Sequence, residues 1–153
     1  MATDRILIHA SIAERFFTAI KAALSSSPGT PSEPPTLVTS ASKTRVESLI
    51  SSALSAGANV IHGSVVEKTK NSEDVKDAKA TSVRLAPVLL GDVKEDMQVW
   101  QDEAFGSLAS CMVVKSDEEA IQVANRGGYG LSAAIFTEDL RRGLRIAKEV
   151  ESG

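Results

Sequence analysis

A chain of 153 residues is about one domain's worth, long enough to bury a sizeable core. Its 42% apolar and 24% charged residues are ordinary for a globular protein, and with 4% aromatics the core must rest on Val, Ile, Leu and Ala. A net charge of −3 gives no electrostatic case for nucleic acid or an acidic membrane, and no apolar run nears the roughly 20 residues that span a bilayer.

In chain order, Ile6-Leu7-Ile8-His9 is a β-rich run that predicts a buried strand. Ser11 followed by Glu14 predicts a capping box, with Ser11 accepting from the N3 amide and Glu14 reaching back to the cap. Phe16, Ile20 and Leu24 recur every four residues, with Phe17 broadening the stripe, which predicts one apolar helix face. Ser25-Ser26-Ser27-Pro28-Gly29 ends that helix, and Pro31, Pro34 and Pro35 keep the connection extended. A second helix is predicted from about Ser42 to Ala56, with Val46, Leu49, Ile50 and Ala53 inward and Gly57 suited to a left-handed cap.

Val60-Ile61-His62 reads as the next strand, and the charged segment Glu67 to Thr81 as a solvated loop. In Leu85-Ala86-Pro87-Val88-Leu89-Leu90 the proline argues for an edge or a strand start. Ala109 to Val114 is another strand. Ser116 and Glu119 form a second capping box, opening a helix that stops at Arg126-Gly127-Gly128. Leu131 to Phe136 predicts a strand, and Thr137 can cap a last helix carrying Leu140, Leu144, Ala147 and Val150. Strands alternating with helices of this length imply an α/β fold, a mostly parallel sheet with helices on both faces.

No internal repeat or domain boundary interrupts the chain. No apolar leader follows the polar start, and a single cysteine, Cys111, excludes an internal disulfide; a reducing compartment, by default the cytoplasm, is expected. No metal site is expected. Met1 stands a few residues before the first predicted strand and Gly153 follows the last helix. The sheet is therefore expected to be truncated at both ends, with an edge awaiting a partner strand.

Four segments carry a resemblance to a known family. Glu103-Ala104-Phe105-Gly106-Ser107 resembles the Glu-x-Phe-Gly-Pro signature of aldehyde dehydrogenases. The run Asn125 to Leu140, which includes Tyr129-Gly130-Leu131-Ser132-Ala133 and Phe136-Thr137-Glu138-Asp139, is similar to the family's Ala-Asn-x-x-x-Tyr-Gly-Leu-x-Ala-x-Phe-Thr-x-Asp stretch. Pro87 to Met97 resembles its Pro-Thr-Val-Leu-x-Asp-Val-x-Pro-x-Met. Arg5-Ile6-Leu7-Ile8-His9 with Ser11-Ile12-Ala13 looks like the strand and helix just past the family's catalytic cysteine. The wording of residues 1–17 leans to the salicylaldehyde and vanillin dehydrogenase types.

The resemblance implies part of a catalytic domain over residues 1–153, and a family reaction that oxidises aldehydes to acids with NAD or NADP through a cysteine thiolate and a glutamate-activated water. Glu103 would hold the nicotinamide ribose hydroxyls and Phe105 would pack on the nicotinamide, while Gly106 permits a close backbone approach. Ser107 stands where the family has proline, which leaves that loop less rigid. The family's cysteine, its glutamate and its dinucleotide-binding domain have no counterpart in these residues, so no catalytic residue is assigned.

Cys111 lies inside an apolar strand and reads as a buried structural thiol. His9 and His62 end strands, where ligands gather in parallel sheets, yet each also reads as a surface or loop-satisfying histidine. Glu103 also reads as a solvated carboxylate, Phe105 as core or an exposed anchor, Trp100 as packing or pocket wall, and Tyr129 as a turn aromatic. Three functions stay open: a dehydrogenase remnant that pairs with itself or a full-length relative through a sheet edge, a cofactor-independent cyclase or isomerase acting on a biosynthetic intermediate, and a gene fragment. The expected small-molecule partner is an aldehyde or such an intermediate.

Overall fold

A computed structural model describes residues 3–26, 35–63 and 83–152. Residues 27–34, within the Pro-rich connection, and the charged segment 67–81 lie outside the described residues.

Four strands form one sheet: β1 (Arg5–His9), β2 (Asn59–His62), β3 (Val88–Gly91) and β4 (Leu108–Val114), in the order β1-β4-β3-β2. β4 is parallel to β1, with Arg5 opposite Ser110 and His9 opposite Val114, and parallel to β3. β2 closes the other side antiparallel to β3, with a register shift between Val60 and His62. The sheet is thus mostly parallel, as expected, with an antiparallel edge. Pro87 stands immediately before β3, the strand-start position its missing N–H allows.

The two-residue period of the strands divides the core. Leu7, Val60, Val88, Leu90, Leu108 and Met112 face α2 (Ser40–Ser55), whose Val46, Leu49, Ile50 and Ala53 are all buried. Ile8, Ile61, Leu89 and Cys111 face the other way, against Phe16, Phe17 and Ile20 of α1 (Ala13–Ser26). Helices therefore cover both faces, and residues one apart in β3 and β4 belong to opposite clusters. Gly57 ends α2 at φ +100°, a conformation that costs glycine nothing.

α3 (Gln98–Gln101) is a single turn that buries Val99 and Trp100. α4 (Asp117–Asn125) starts on the expected Ser116 cap, whose hydroxyl accepts from the Glu119 amide at 3.2 Å, while the Glu119 carboxylate accepts from the Lys115 amide. α5 (Leu140–Glu149) buries no residue. It is held to α4 by Arg142 and Arg145, which pair with Asp117, and by Asn125, whose amide nitrogen donates to the Glu149 carbonyl and whose oxygen accepts from the Glu151 amide.

Three local expectations are corrected. The predicted Ser11 box is displaced because His9 Nδ1 accepts the Ser11 amide at 3.2 Å; a 3-10 turn over Ala10–Ile12 forms first and α1 begins at Ala13. Asp139 rather than Thr137 caps α5, accepting from the amides of Arg141 and Arg142, while Thr137 accepts from the Asp139 amide. Residues 131–136 are exposed along their whole length and join no strand ladder. Their alternation is that of a strand, but no neighbouring strand among the described residues offers its backbone groups to them.

Candidate functional site

The segment between α3 and β4 is a braced loop. Asp102 ends α3, its amide donating to the Gln98 carbonyl at 2.9 Å. Arg45, from the outer side of α2, then donates through Nη1 to the backbone carbonyls of Glu103 at 2.7 Å and Ala104 at 3.1 Å. The Ala104 amide donates to the Asp4 carboxylate at 3.4 Å, and the Ala104 methyl is buried in the α2-side core. Downstream, the Ser107 carbonyl accepts from the Val88 amide at 2.9 Å, tying the loop to β3. Helix, strand lead-in and strand thus each hold one point of the loop.

This bracing sets the two side chains that sequence reasoning singled out. Phe105 adopts φ +47°, a left-handed conformation unusual for a bulky residue, and its side chain is 78% exposed. Two residues earlier, Glu103 is half-buried, and its carboxylate has no hydrogen-bond or ion-pair partner among the described residues. The close approach expected at Gly106 is to the protein itself: a Cβ there would lie 2.7 Å from Val46 Cγ2. Gly106 therefore seats the loop on α2, and Phe105 turns outward between two anchored neighbours.

A carboxylate without a partner among the described residues, two residues from an outward aromatic ring, can accept from vicinal hydroxyls while the ring packs on a planar heterocycle. Phe105 is exposed and Glu103 half-buried, and neither lines the two clefts nearby. A cleft of about 500 Å³ lies on the α2 side, lined by Thr44, Arg45, Ser48, Gln98 and Asp102, and one of about 510 Å³ is lined by Glu95, Trp100, Gln101, Arg126, Gly127 and Gly128. Asp4, at the base of the loop, has its carboxyl raised above the ordinary value by burial, against the lowering effects of the Ala104 amide and of Arg5 and Arg45.

The other reactive groups stand apart. Cys111 is fully buried on the α1 side of β4, and burial pushes its thiol up to about 11. A thiol in that state carries almost no thiolate at neutral pH, so Cys111 does not act as a nucleophile. His9 is a turn cap, bonded through Nδ1 to the Ser11 hydroxyl at 2.8 Å and to its amide. His62 is half-buried at the end of β2, on the far edge of the sheet. Trp100 is buried packing that also forms part of the wall of the second cleft, so both of its sequence readings hold, and Tyr129 lies over the Arg5 guanidinium.

Arg45 and Asp4 were not foreseen as loop supports. They lie 58 and 100 residues from their partners, and a polar residue at a helix surface or a strand start carries no local signal of such a contact.

Comparison with known proteins adds an independent line. The model of the "Aldehyde dehydrogenase family" matches residues 1–153. A vanillin dehydrogenase of Pseudomonas fluorescens is 32% identical over 100% of this chain and 30% of its own length. A benzaldehyde dehydrogenase of Bacillus subtilis (strain 168) is 31% identical, with the same shares covered. The crystal structure of NADP-dependent glyceraldehyde-3-phosphate dehydrogenase from Bacillus halodurans C-125, complexed with NADP, superposes with a TM-score of 0.79 at 28% identity, over 99% of this chain and 30% of that one. The chain thus spans about 30% of the length of the relatives it matches. Among the described residues, no helix is long and apolar enough to cross a membrane.

Proposed function

Because this chain belongs to the aldehyde dehydrogenase family, we propose that it carries the nicotinamide-side half of that family's cofactor site. Residues 1–153 are read as part of a catalytic domain, with Glu103 accepting from the ribose hydroxyls of NAD or NADP and Phe105 packing on the nicotinamide. The observation that supports this most directly is the Glu103–Phe105 pair itself, a carboxylate without a partner among the described residues and a 78% exposed ring, held by a loop braced from three elements. The chemistry a bound nicotinamide supplies is acceptance of hydride. The chain's own residues bind and orient: Arg45 and Asp4 fix the loop backbone, Gly106 seats it on Val46, and Glu103 and Phe105 meet the ligand.

Aldehyde oxidation needs a thiolate and a general base. The one cysteine of these 153 residues is buried and protonated, and no Gly-rich phosphate loop precedes a helix in the sequence. By themselves these residues therefore orient a nicotinamide without oxidising an aldehyde. The names of relatives support an aldehyde as the substrate class: two are named for vanillin and benzaldehyde, others for betaine aldehyde and succinate semialdehyde. The comparisons lend no support to a cyclase or isomerase. The β1 edge, unpaired among the described residues, together with exposed Leu131, Phe136 and Leu140, favours association with a further copy or a longer relative. The unpaired Cys111 fits a reducing, cytoplasmic setting.

The test is a steady-state assay of the purified chain with NAD and benzaldehyde. The expected result is no NADH formation above a protein-free blank; sustained turnover would show that a reactive nucleophile exists within these residues and overturn the reading.

A further inference from the structure

Arg5, the first residue of β1, carries a charge whose hydrogen bonding is incomplete. Its Nε and Nη2 are buried and have no hydrogen-bond partner among the described residues. Among the described residues no carboxylate forms an ion pair with it. Its guanidinium carbon instead lies over two rings, 5.5 Å from the centroid of Trp100 and 5.4 Å from that of Tyr129. Aromatic faces attract the cation but offer nothing to N–H groups in the guanidinium plane. Buried donors of a charged group left in that state are costly, so an acceptor that reaches them is favoured.

The identity of the orphaned atoms narrows what arrives. Nε–H and Nη2–H are the two parallel donors along one side of a guanidinium, the edge that receives a carboxylate through two hydrogen bonds. The Nη1 side is occupied: a Cβ on Gly127 would fall 2.4 Å from Nη1, so the Gly127 backbone packs against it. Tyr129 is 47% exposed, and its neighbour Gly128 has open space around it, so the ring can turn outward without displacing the core. Trp100, Gly127 and Gly128 also line the cleft of about 510 Å³, where Arg126 adds a second cation at the rim, paired to Glu95 at 3.0 Å.

We propose that the Nε/Nη2 edge of Arg5 is a carboxylate-binding site, gated by Tyr129 and entered from this cleft. Its ligand is a small monocarboxylate. The site is separate from the Glu103–Phe105 loop and does not depend on the cofactor reading. The same carboxylate chemistry could come from an acidic side chain or chain terminus of another copy, and the test separates the two sources.

Trp100 is the single tryptophan of the chain, so its fluorescence reports the site directly. Titration with propionate at constant ionic strength is expected to give a saturable change, whereas propionamide, the neutral isostere, gives none. Arg5→Lys, which keeps the charge but loses the fork, is expected to weaken propionate about tenfold or more. Tyr129→Ala is expected to bind at least as tightly as the parent. Apparent affinity independent of protein concentration identifies the free ligand as the occupant; affinity that weakens as the protein is concentrated identifies a competing carboxylate from a second copy. The proposal is overturned if propionate and propionamide act alike, if neither the parent nor Tyr129→Ala responds saturably, or if a folded Arg5→Lys binds like the parent. Should Arg5→Lys not fold, the isostere comparison on the parent chain still decides.

Discussion

Arg45 Nη1 donates to the Glu103 carbonyl at 2.7 Å, so a guanidinium on α2 fixes the backbone of the residue proposed to hold the ribose. The same nitrogen reaches the Ala104 carbonyl, and the Asp102 carboxylate stands 3.8 Å from Nη2. Arg45→Ala should therefore loosen the loop more than the fold. Global stability is expected to drop by about 1 kcal/mol, since the side chain is 43% exposed and water replaces part of each bond. Hydrogen exchange of residues 102–107 should accelerate while α1 and β4 keep their protection. Unchanged exchange in the loop would mean that Asp4 and β3 hold it without Arg45.

Gly106 and Val46 should be coupled. A methyl group at position 106 falls 2.7 Å from a Val46 methyl that is fully buried, and a packed helix face yields little. Gly106→Ala is expected to cost about 1–3 kcal/mol in urea unfolding. Val46→Ala makes room, so the double variant should be more stable than the sum of the single losses predicts, by roughly 1 kcal/mol in a double-mutant cycle. Strict additivity would contradict the contact.

Asp4 gives a prediction with a definite sign. Burial raises its carboxyl above the unfolded value, so the folded state holds this proton more tightly and the charged form at neutral pH costs stability. The penalty is fully present above the folded pKa and is relieved as pH falls through it toward the unfolded one. Asp4→Asn retains an oxygen for the Ala104 amide and removes the desolvated charge. It should be more stable than the parent at neutral pH, with the advantage shrinking as the solution is acidified. Lower stability of Asp4→Asn at neutral pH would reverse the assignment of burial as the dominant effect.

Asp117 works in the opposite sense. The Arg142 hydrogen bond holds its carboxyl below the ordinary carboxylate range, so the stability it contributes is present above its unfolded pKa and lost as pH falls through the lower folded one. Since α5 buries no residue, these ion pairs and Asn125 account for its attachment. Asp117→Asn, or high salt, should raise exchange in residues 140–149 and leave the β-sheet protected. Exchange rising uniformly across the chain would show that α5 and the sheet unfold together.

Cys111 should be silent toward thiol reagents. With the side chain at 0% exposure and the thiol pushed up to about 11, labelling by a disulfide reagent at neutral pH should proceed only as fast as the protein opens. Rapid labelling of the native chain would contradict its burial.

Most of the sheet and its two helical layers were legible because short apolar runs such as Val88-Leu89-Leu90 and the helical stripe Val46, Leu49, Ile50, Ala53 each follow from local geometry. Ser116 capped its helix as read, since the side chain and the amide it binds are three residues apart. Where two local acceptors competed, the reading failed: His9 took the Ser11 amide, and Asp139 displaced Thr137 at the start of α5. Residues 131–136 have a strand's alternation, but a ladder also needs a neighbour, which no local pattern guarantees. Glu103 and Phe105 can be proposed from a motif alone, whereas Arg45, Asp4 and the Arg5–Trp100–Tyr129 cluster arise only when distant segments meet.

The central claim is that the loop presenting Glu103 and Phe105 is the nicotinamide-ribose half of a cofactor site. Saturation-transfer NMR with nicotinamide mononucleotide tests it most directly, because that ligand carries the nicotinamide and its ribose without the rest of the dinucleotide. The account predicts transfer to the nicotinamide and ribose protons with the parent chain, loss of ribose transfer in Glu103→Gln, and loss of nicotinamide transfer in Phe105→Ala. Equal transfer to the parent and both variants, or none to the parent, would contradict it.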